Sequence, residues 1–167
     1  VAGQPEVIGT VKRSEINRII EQVKAFCREQ NFHLPPFAYW TPEEWKTKGS
    51  QYDEIRDNKL GWDITDYGSG RFEEIGLALF TLRNGNHNDP ERYPKAYCEK
   101  ILIVGENQIC PAHHHRSKTE DIIVRAGGNL QVEVYEATRE GEITDAPVVL
   151  SLDGHLVSVD AGTVLTL

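Results

Sequence analysis

Methionine is missing from this chain altogether, position 1 included, so its start is read as processed, trimmed or incomplete. Cysteine is scarce: Cys27, Cys98 and Cys110 are an odd number at wide spacings, with no Cys-x-x-Cys pair. That pattern excludes a zinc knuckle and a thioredoxin-like redox motif, and the three are expected as reduced, partly buried thiols of an intracellular protein. Long apolar runs are missing too. No stretch approaches the roughly 18–20 residues of a membrane span, and no basic segment followed by an apolar one marks a signal peptide. Basic charge is in deficit, with 18 Lys and Arg against 26 Asp and Glu and a net charge of −8. A chain with no basic block neutralises few phosphates, which excludes nonspecific binding to nucleic acid or to an anionic membrane surface. The expectation is a soluble cytoplasmic protein, whose acidity is compatible with binding a divalent cation.

The 167 residues, 39% of them hydrophobic, suffice for one compact core. There are no internal repeats and no low-complexity tract. Periodicity divides the chain into a helical part over 1–50 and a strand-rich part over 60–167, read together as a single domain spanning 1–167. Ser14 to Glu29 is expected to be an amphipathic helix with Ser14 as N-cap, since Ile16, Ile19, Ile20, Val23 and Phe26 recur at helical spacing. Leu34-Pro35-Pro36-Phe37 reads as extended, because each proline disfavours helix before it. Thr41-Pro42-Glu43-Glu44 carries a capping box with proline at the first helical position, so a short helix bearing Trp45 should follow.

Beyond Leu60 the turn signals come at close intervals. Leu77 to Leu82 reads as a buried strand, and further strands are expected at 99–104, 107–115, 119–125, 129–137, 147–152, 155–159 and 163–167. Asp153-Gly154 is a two-residue hairpin turn. Many short strands between glycine-containing turns predict a mainly β fold, an antiparallel barrel or jelly roll with the N-terminal helices packed against it.

The chemistry concentrates in Pro111-Ala112-His113-His114-His115-Arg116-Ser117-Lys118-Thr119-Glu120-Asp121. On an extended backbone alternate side chains share a face, which pairs His113 with His115, turns His114 away, and pairs Lys118 with Glu120. The interval from His115 to Lys118 is odd, so a bend at Arg116-Ser117 is needed to bring both pairs to one cavity. Two imidazoles and a carboxylate suit a divalent first-row metal such as manganese, iron, cobalt, nickel or zinc better than magnesium or calcium. Three protein ligands leave positions open for substrate oxygens, as catalytic sites do. His33 and His87, near turns, read as ordinary polar histidines, and His155 as a hairpin-edge residue.

The spacing His-x-His-x-x-Lys-x-Glu followed by Gly127 resembles the first cupin motif. The runs Glu99–Ile103, Pro111–His115, Lys118–Ile123 and Gly127–Leu130 together resemble D-lyxose isomerases of the cupin superfamily. So do Lys12–Asn17, His33–Trp40, Gly61–Gly70 and Leu79–Gly85, so the resemblance covers nearly all the chain from about residue 12. It implies a cupin-type barrel and a metal-dependent aldose–ketose isomerase interconverting D-lyxose and D-xylulose, and also D-mannose and D-fructose, through an enediol. It further implies metal ligands at His113, His115 and Glu120, an active-site lysine at Lys118, a divalent cofactor, most often Mn2+ with Co2+, Zn2+ or Fe2+ as substitutes, a small sugar as partner, and a homodimer. The family's fourth ligand, a histidine of the second cupin motif, and its later acidic base find no match before Leu167, so the chain is expected to be C-terminally truncated, with an incomplete barrel. Two other readings stay open: an oxygen-using, dioxygenase-like metal cupin, which Lys118 disfavours, and a non-catalytic sugar-binding cupin fragment.

Overall fold

The computed structural model describes residues 12–167. They form two compact units, one ending at Pro111 and the other spanning Ala112–Leu167.

In the first unit, helix α1 (Arg13–Glu29) buries Ile19, Val23 and Cys27, a seam repeating every fourth residue. Its N-cap is Lys12 rather than the expected Ser14, with no side-chain cap. The helix starts two residues early because the Lys12 carbonyl already accepts from the Glu15 and Ile16 amides at 2.9 and 3.0 Å. Phe26, expected in the apolar seam, is exposed, and Cys27 takes the buried position. At the C-terminal end, Asn31 adopts φ 55° and the Phe32 amide donates to the Cys27 carbonyl at 2.8 Å, a left-handed cap that turns the chain back.

Pro35 is extended as expected, with ψ 159°, but Pro36–Ala38 tightens into a single 3-10 turn. A proline constrains the residue before it, while its own fixed φ suits a first helical position. Helix α2 (Pro42–Lys46) has the expected reciprocal cap: the Thr41 amide donates to Glu44 Oε2 at 2.7 Å and the Glu44 amide donates to Thr41 Oγ1 at 3.2 Å. Around it Trp40 meets Trp45 and Tyr52 edge-on, with centroids 5.1 and 5.0 Å apart, and Lys48 Nζ sits 4.3 Å above the Trp40 ring. Helix α3 (Asp53–Asp57) was not anticipated. It is tied to the connection that follows by Arg92, which donates to Asp53 and Asp57, by Tyr93 Oη on Asp57, and by Lys95 on Glu54.

Strands β1 (Gly61–Thr65), β2 (Leu77–Arg83) and β3 (Glu99–Ile103) form an antiparallel sheet with β2 central. The Gly61–Thr65 strand was masked in the sequence by its leading glycine, which reads as a turn. Phe80, opposite Trp62 in the β1–β2 register, is fully buried. Trp62 meets it edge-on at 4.8 Å, Phe37 lies 5.1 Å away, and Ile19, Val23, Cys27, Leu34, Ala38, Phe72 and Ala78 are buried in the same cluster. The indole of Trp62 stays satisfied by donating to the Ala38 carbonyl at 2.9 Å.

The second unit consists of three two-stranded antiparallel ladders: β4 (Gln131–Val134) with β9 (Thr163–Thr166), β5 (Glu136–Ala137) with β6 (Ile143–Thr144), and β7 (Val148–Leu152) with β8 (His155–Val159). Asp153 (φ 48°) and Gly154 (φ 81°) make the expected β7–β8 turn, both in the left-handed region that its primed geometry requires. The mainly β, antiparallel reading therefore holds, although the described strands form four separate sheets and no closed barrel. Two expected strands are absent among the described residues. Residues 107–115 and 119–125 are irregular, and the only pairing in either is an isolated bridge from Ile109 to Ile75. Alternation makes a strand only where a neighbour supplies the ladder, and Pro111 has no amide to donate. Among the described residues, no helix is long and apolar enough to cross a membrane.

Two outcomes follow. Phe80→Ala should cost about 3–5 kcal/mol in urea denaturation, the usual loss for an emptied aromatic site, and Phe80→Leu clearly less. The backbone hydrogen bond from Thr41 holds the Glu44 carboxyl below its ordinary range. A depressed carboxyl stabilises the fold above the unfolded pKa, and that contribution is lost as pH falls through the folded value. NMR shifts of residues 42–46 should therefore show an acid step at pH below the usual glutamate range, and Glu44→Gln should remove it.

Candidate active site

The segment after Pro111 carries no ladder, so its shape is set by side chains. Its backbone bends at Arg116–Ser117, where strand parity requires a bend. Beyond it, Lys118 Nζ donates to Glu120 Oε1 at 3.0 Å, as alternate residues on one face can. The other oxygen, Oε2, lies 3.0 Å from His115 Nε2. The His113 ring stands edge-on to that of His115, with centroids 5.0 Å apart. All four sequence-predicted site residues thus come together across the bend. His114 takes another direction, its imidazole resting against Gly141. His33, His87 and His155 are exposed, with His155 opposite Leu152 across the β7–β8 turn.

The cluster is open to solvent: the side chains of His115, Glu120 and Lys118 retain 33%, 42% and 44% exposure, enough for a small molecule to reach them. Burial pushes the Glu120 carboxyl up, but the hydrogen bond and charge of Lys118, with His115 and His113 behind it, outweigh burial and hold it below the usual carboxylate range. Glu120 is therefore an anion at neutral pH.

That state matters for a metal. Among the described residues no three His, Cys, Asp or Glu side chains surround one point. The donor chemistry nonetheless fits a divalent first-row ion: two imidazoles, one carboxylate already ionised, and a nitrogen and an oxygen 3.0 Å apart on His115 and Glu120. Two neighbouring ligands each about 2.1 Å from one metal, at right angles, are separated by about that distance.

The comparisons with known proteins bear on the same chemistry. A profile of D-lyxose isomerase matches residues 11–167. The chain belongs to the D-lyxose isomerase family. It is 41% identical over 158 residues to a D-lyxose/D-mannose isomerase of Escherichia coli O157:H7, covering 94% of this chain and 69% of that protein. A D-lyxose/D-mannose isomerase of Serratia proteamaculans is 42% identical over the same shares. One from Thermosediminibacter oceani is 27% identical over 82% of this chain and 60% of its own length. A member of the D-lyxose isomerase family is a sugar isomerase, which makes a small sugar its substrate class.

Reading the sequence missed the surroundings of this cluster, chiefly Glu140 and Gly141. Gly141 signals a turn, but its neighbour His114 lies far away in the chain, and no local pattern links the two.

Glu120 is the shared acceptor of two partners, whereas Lys118 contributes one. Exposed pairs are worth about 0.2–1 kcal/mol each, so Glu120→Ala should loosen the bend and speed tryptic cleavage after Arg116 and Lys118 severalfold. Glu120→Gln, which keeps the hydrogen-bonding oxygen, should do so less.

Proposed function

We propose that this protein interconverts D-lyxose with D-xylulose and D-mannose with D-fructose, using a divalent metal, Mn2+ by preference, held by His113, His115 and Glu120. The observation that carries this reading is the meeting of His115 and Lys118 on the two oxygens of one ionised carboxylate, in a chain of the D-lyxose isomerase family. Bound there, the metal would supply Lewis acidity toward the adjacent carbonyl and hydroxyl oxygens of the sugar.

The chain's own Lys118 and Glu120 act on the charge that the reaction develops. Moving a proton between C2 and C1 of the sugar passes through an enediol, and negative charge gathers on the oxygen as the proton leaves. Lys118, a compact ammonium with three donors, is poised to stabilise that charge. Its bond to Glu120 orients it beforehand, so little reorganisation is left for the reaction itself. The partial exposure of these side chains lets a small sugar reach them. The family resemblance also supports a homodimer in the cytoplasm, and light scattering of the purified protein checks the dimer.

The test is chelation, reloading with Mn2+, Co2+, Zn2+ or Fe2+, and chromatographic measurement of ketose formed from D-lyxose and D-mannose. Lys118→Gln should lower kcat about 10²–10³-fold, the usual cost of removing one donor to a developing oxyanion, with a smaller change in KM. His113→Ala and Glu120→Ala should lose metal and activity together. Unchanged metal content in both variants, or oxygen consumption in place of ketose production, would sink the reading.

A further inference from the structure

The back of the histidine segment has a partner to which no function has been assigned. His113 and His115 face one another and Glu120, while His114, between them, turns its imidazole onto Gly141. Gly141 lies at φ +95°, and a side-chain carbon built on it would fall 3.0 Å from His114 Nε2, 3.3 Å from Nδ1, and nearer still to the carbon between them. The imidazole edge therefore rests directly on the glycine backbone. Arg116, two residues on, donates from Nη2 to the Glu140 carbonyl at 3.3 Å.

The support itself is fixed. Thr138 closes it twice, its amide donating to the Glu142 carbonyl at 2.8 Å and its hydroxyl oxygen accepting from the Glu142 amide at 3.2 Å. The Gly141 amide donates to the Thr138 carbonyl at 2.9 Å, and the turn bridges the paired strands β5 and β6.

From this geometry we infer that the turn Thr138–Glu142 is the positioning device of the site, setting where His113 and His115 stand by holding His114 and Arg116 from behind. The inference rests on the proposed metal role of those two histidines. The segment has no ladder to fix it, and each histidine is one peptide from His114, so a displacement of His114 that reaches its backbone moves both. A carbon placed at Gly141 must push the ring outward by about 1 Å to reach an ordinary carbon–carbon separation of about 3.5–4.0 Å. Misplacement on that scale can cost about 10²-fold in a site far from the altered residue, and groups supporting metal ligands are typically worth about 10–100-fold in affinity. Neither Gly141 nor His114 would touch the sugar, so both are positioning residues.

The experiment is a Mn2+ titration of the metal-free protein, with free ion read by EPR, on four variants. Gly141→Ala should weaken Mn2+ binding at least about 10-fold. Gly154→Ala is the control: that turn glycine also has positive φ (+81°), but nothing lies within 4 Å of its added carbon, so it carries the backbone strain without the clash and should bind as wild type. The double variant Gly141→Ala/His114→Ala should bind no more weakly than Gly141→Ala, because both changes break the same contact, whereas general destabilisation would add the two losses. His115→Ala tests the underlying reading and should abolish tight binding. If Gly141→Ala binds like Gly154→Ala while His115→Ala does not bind, the positioning role is wrong and the metal site stands. If His115→Ala binds normally, the metal site falls and this inference with it. Should Gly141→Ala not fold, Arg116→Gln decides by the same titration: severalfold weaker binding supports the role, and unchanged binding overturns it.

Discussion

Glu120 gives one carboxylate oxygen to Lys118 and the other to His115, and the character of the site follows from that division. The shared carboxylate stays ionised, which a hard or borderline cation requires of its ligand, and it keeps an ammonium beside the place where such a cation would sit. In open water such pairs are individually weak. Their strength grows as water is excluded, because the same charges then interact through a lower dielectric. A cluster built this way is modest in open water and would become strongly polarised under a ligand that excludes the water.

That weakness explains why the surroundings matter. The first unit is organised by burial, with Phe80 enclosed by aromatic rings and by the seam of α1. The second is built of two-stranded ladders, and Val148 is its one buried hydrophobic residue among those described. Regions with few buried apolar contacts open at lower cost than a core does. The histidine segment belongs to this softer unit, so its geometry depends on a handful of polar contacts and one glycine. A ligand that binds only the assembled arrangement would stiffen this unit far more than the first.

The parts of the fold that were legible in the sequence are those whose signals are local. The Thr41–Glu44 cap, the Asp153-Gly154 turn and the apolar run Leu77–Leu82 each announce themselves within a few residues, and each is present as read. The local geometry of the candidate site was legible to the same depth: the expected bend at Arg116–Ser117 is present, and His113 meets His115 while His114 turns away. What failed depended on partners elsewhere in the chain. The alternation over 107–115 and 119–125 promised strands that no neighbour pairs with. Gly61 concealed a strand that exists because β2 supplies its ladder. Ser14 looked like a cap, yet the helix begins ahead of it. The support of His114 by Gly141 joins residues too far apart in sequence for any local pattern to reveal.

The aromatic residues are divided unevenly, and this affects how the molecule can be observed. All three tryptophans, Trp40, Trp45 and Trp62, belong to the first unit, two in the cluster around Lys48 and one against Phe80. From Ala112 onward the chain has a single tyrosine, Tyr135, and no tryptophan. Indole fluorescence is therefore a built-in reporter on the helical and three-stranded unit, and nearly blind to the unit that bears His113–His115. An emission-detected melting curve would describe the scaffold alone, and the site could come apart without changing the signal.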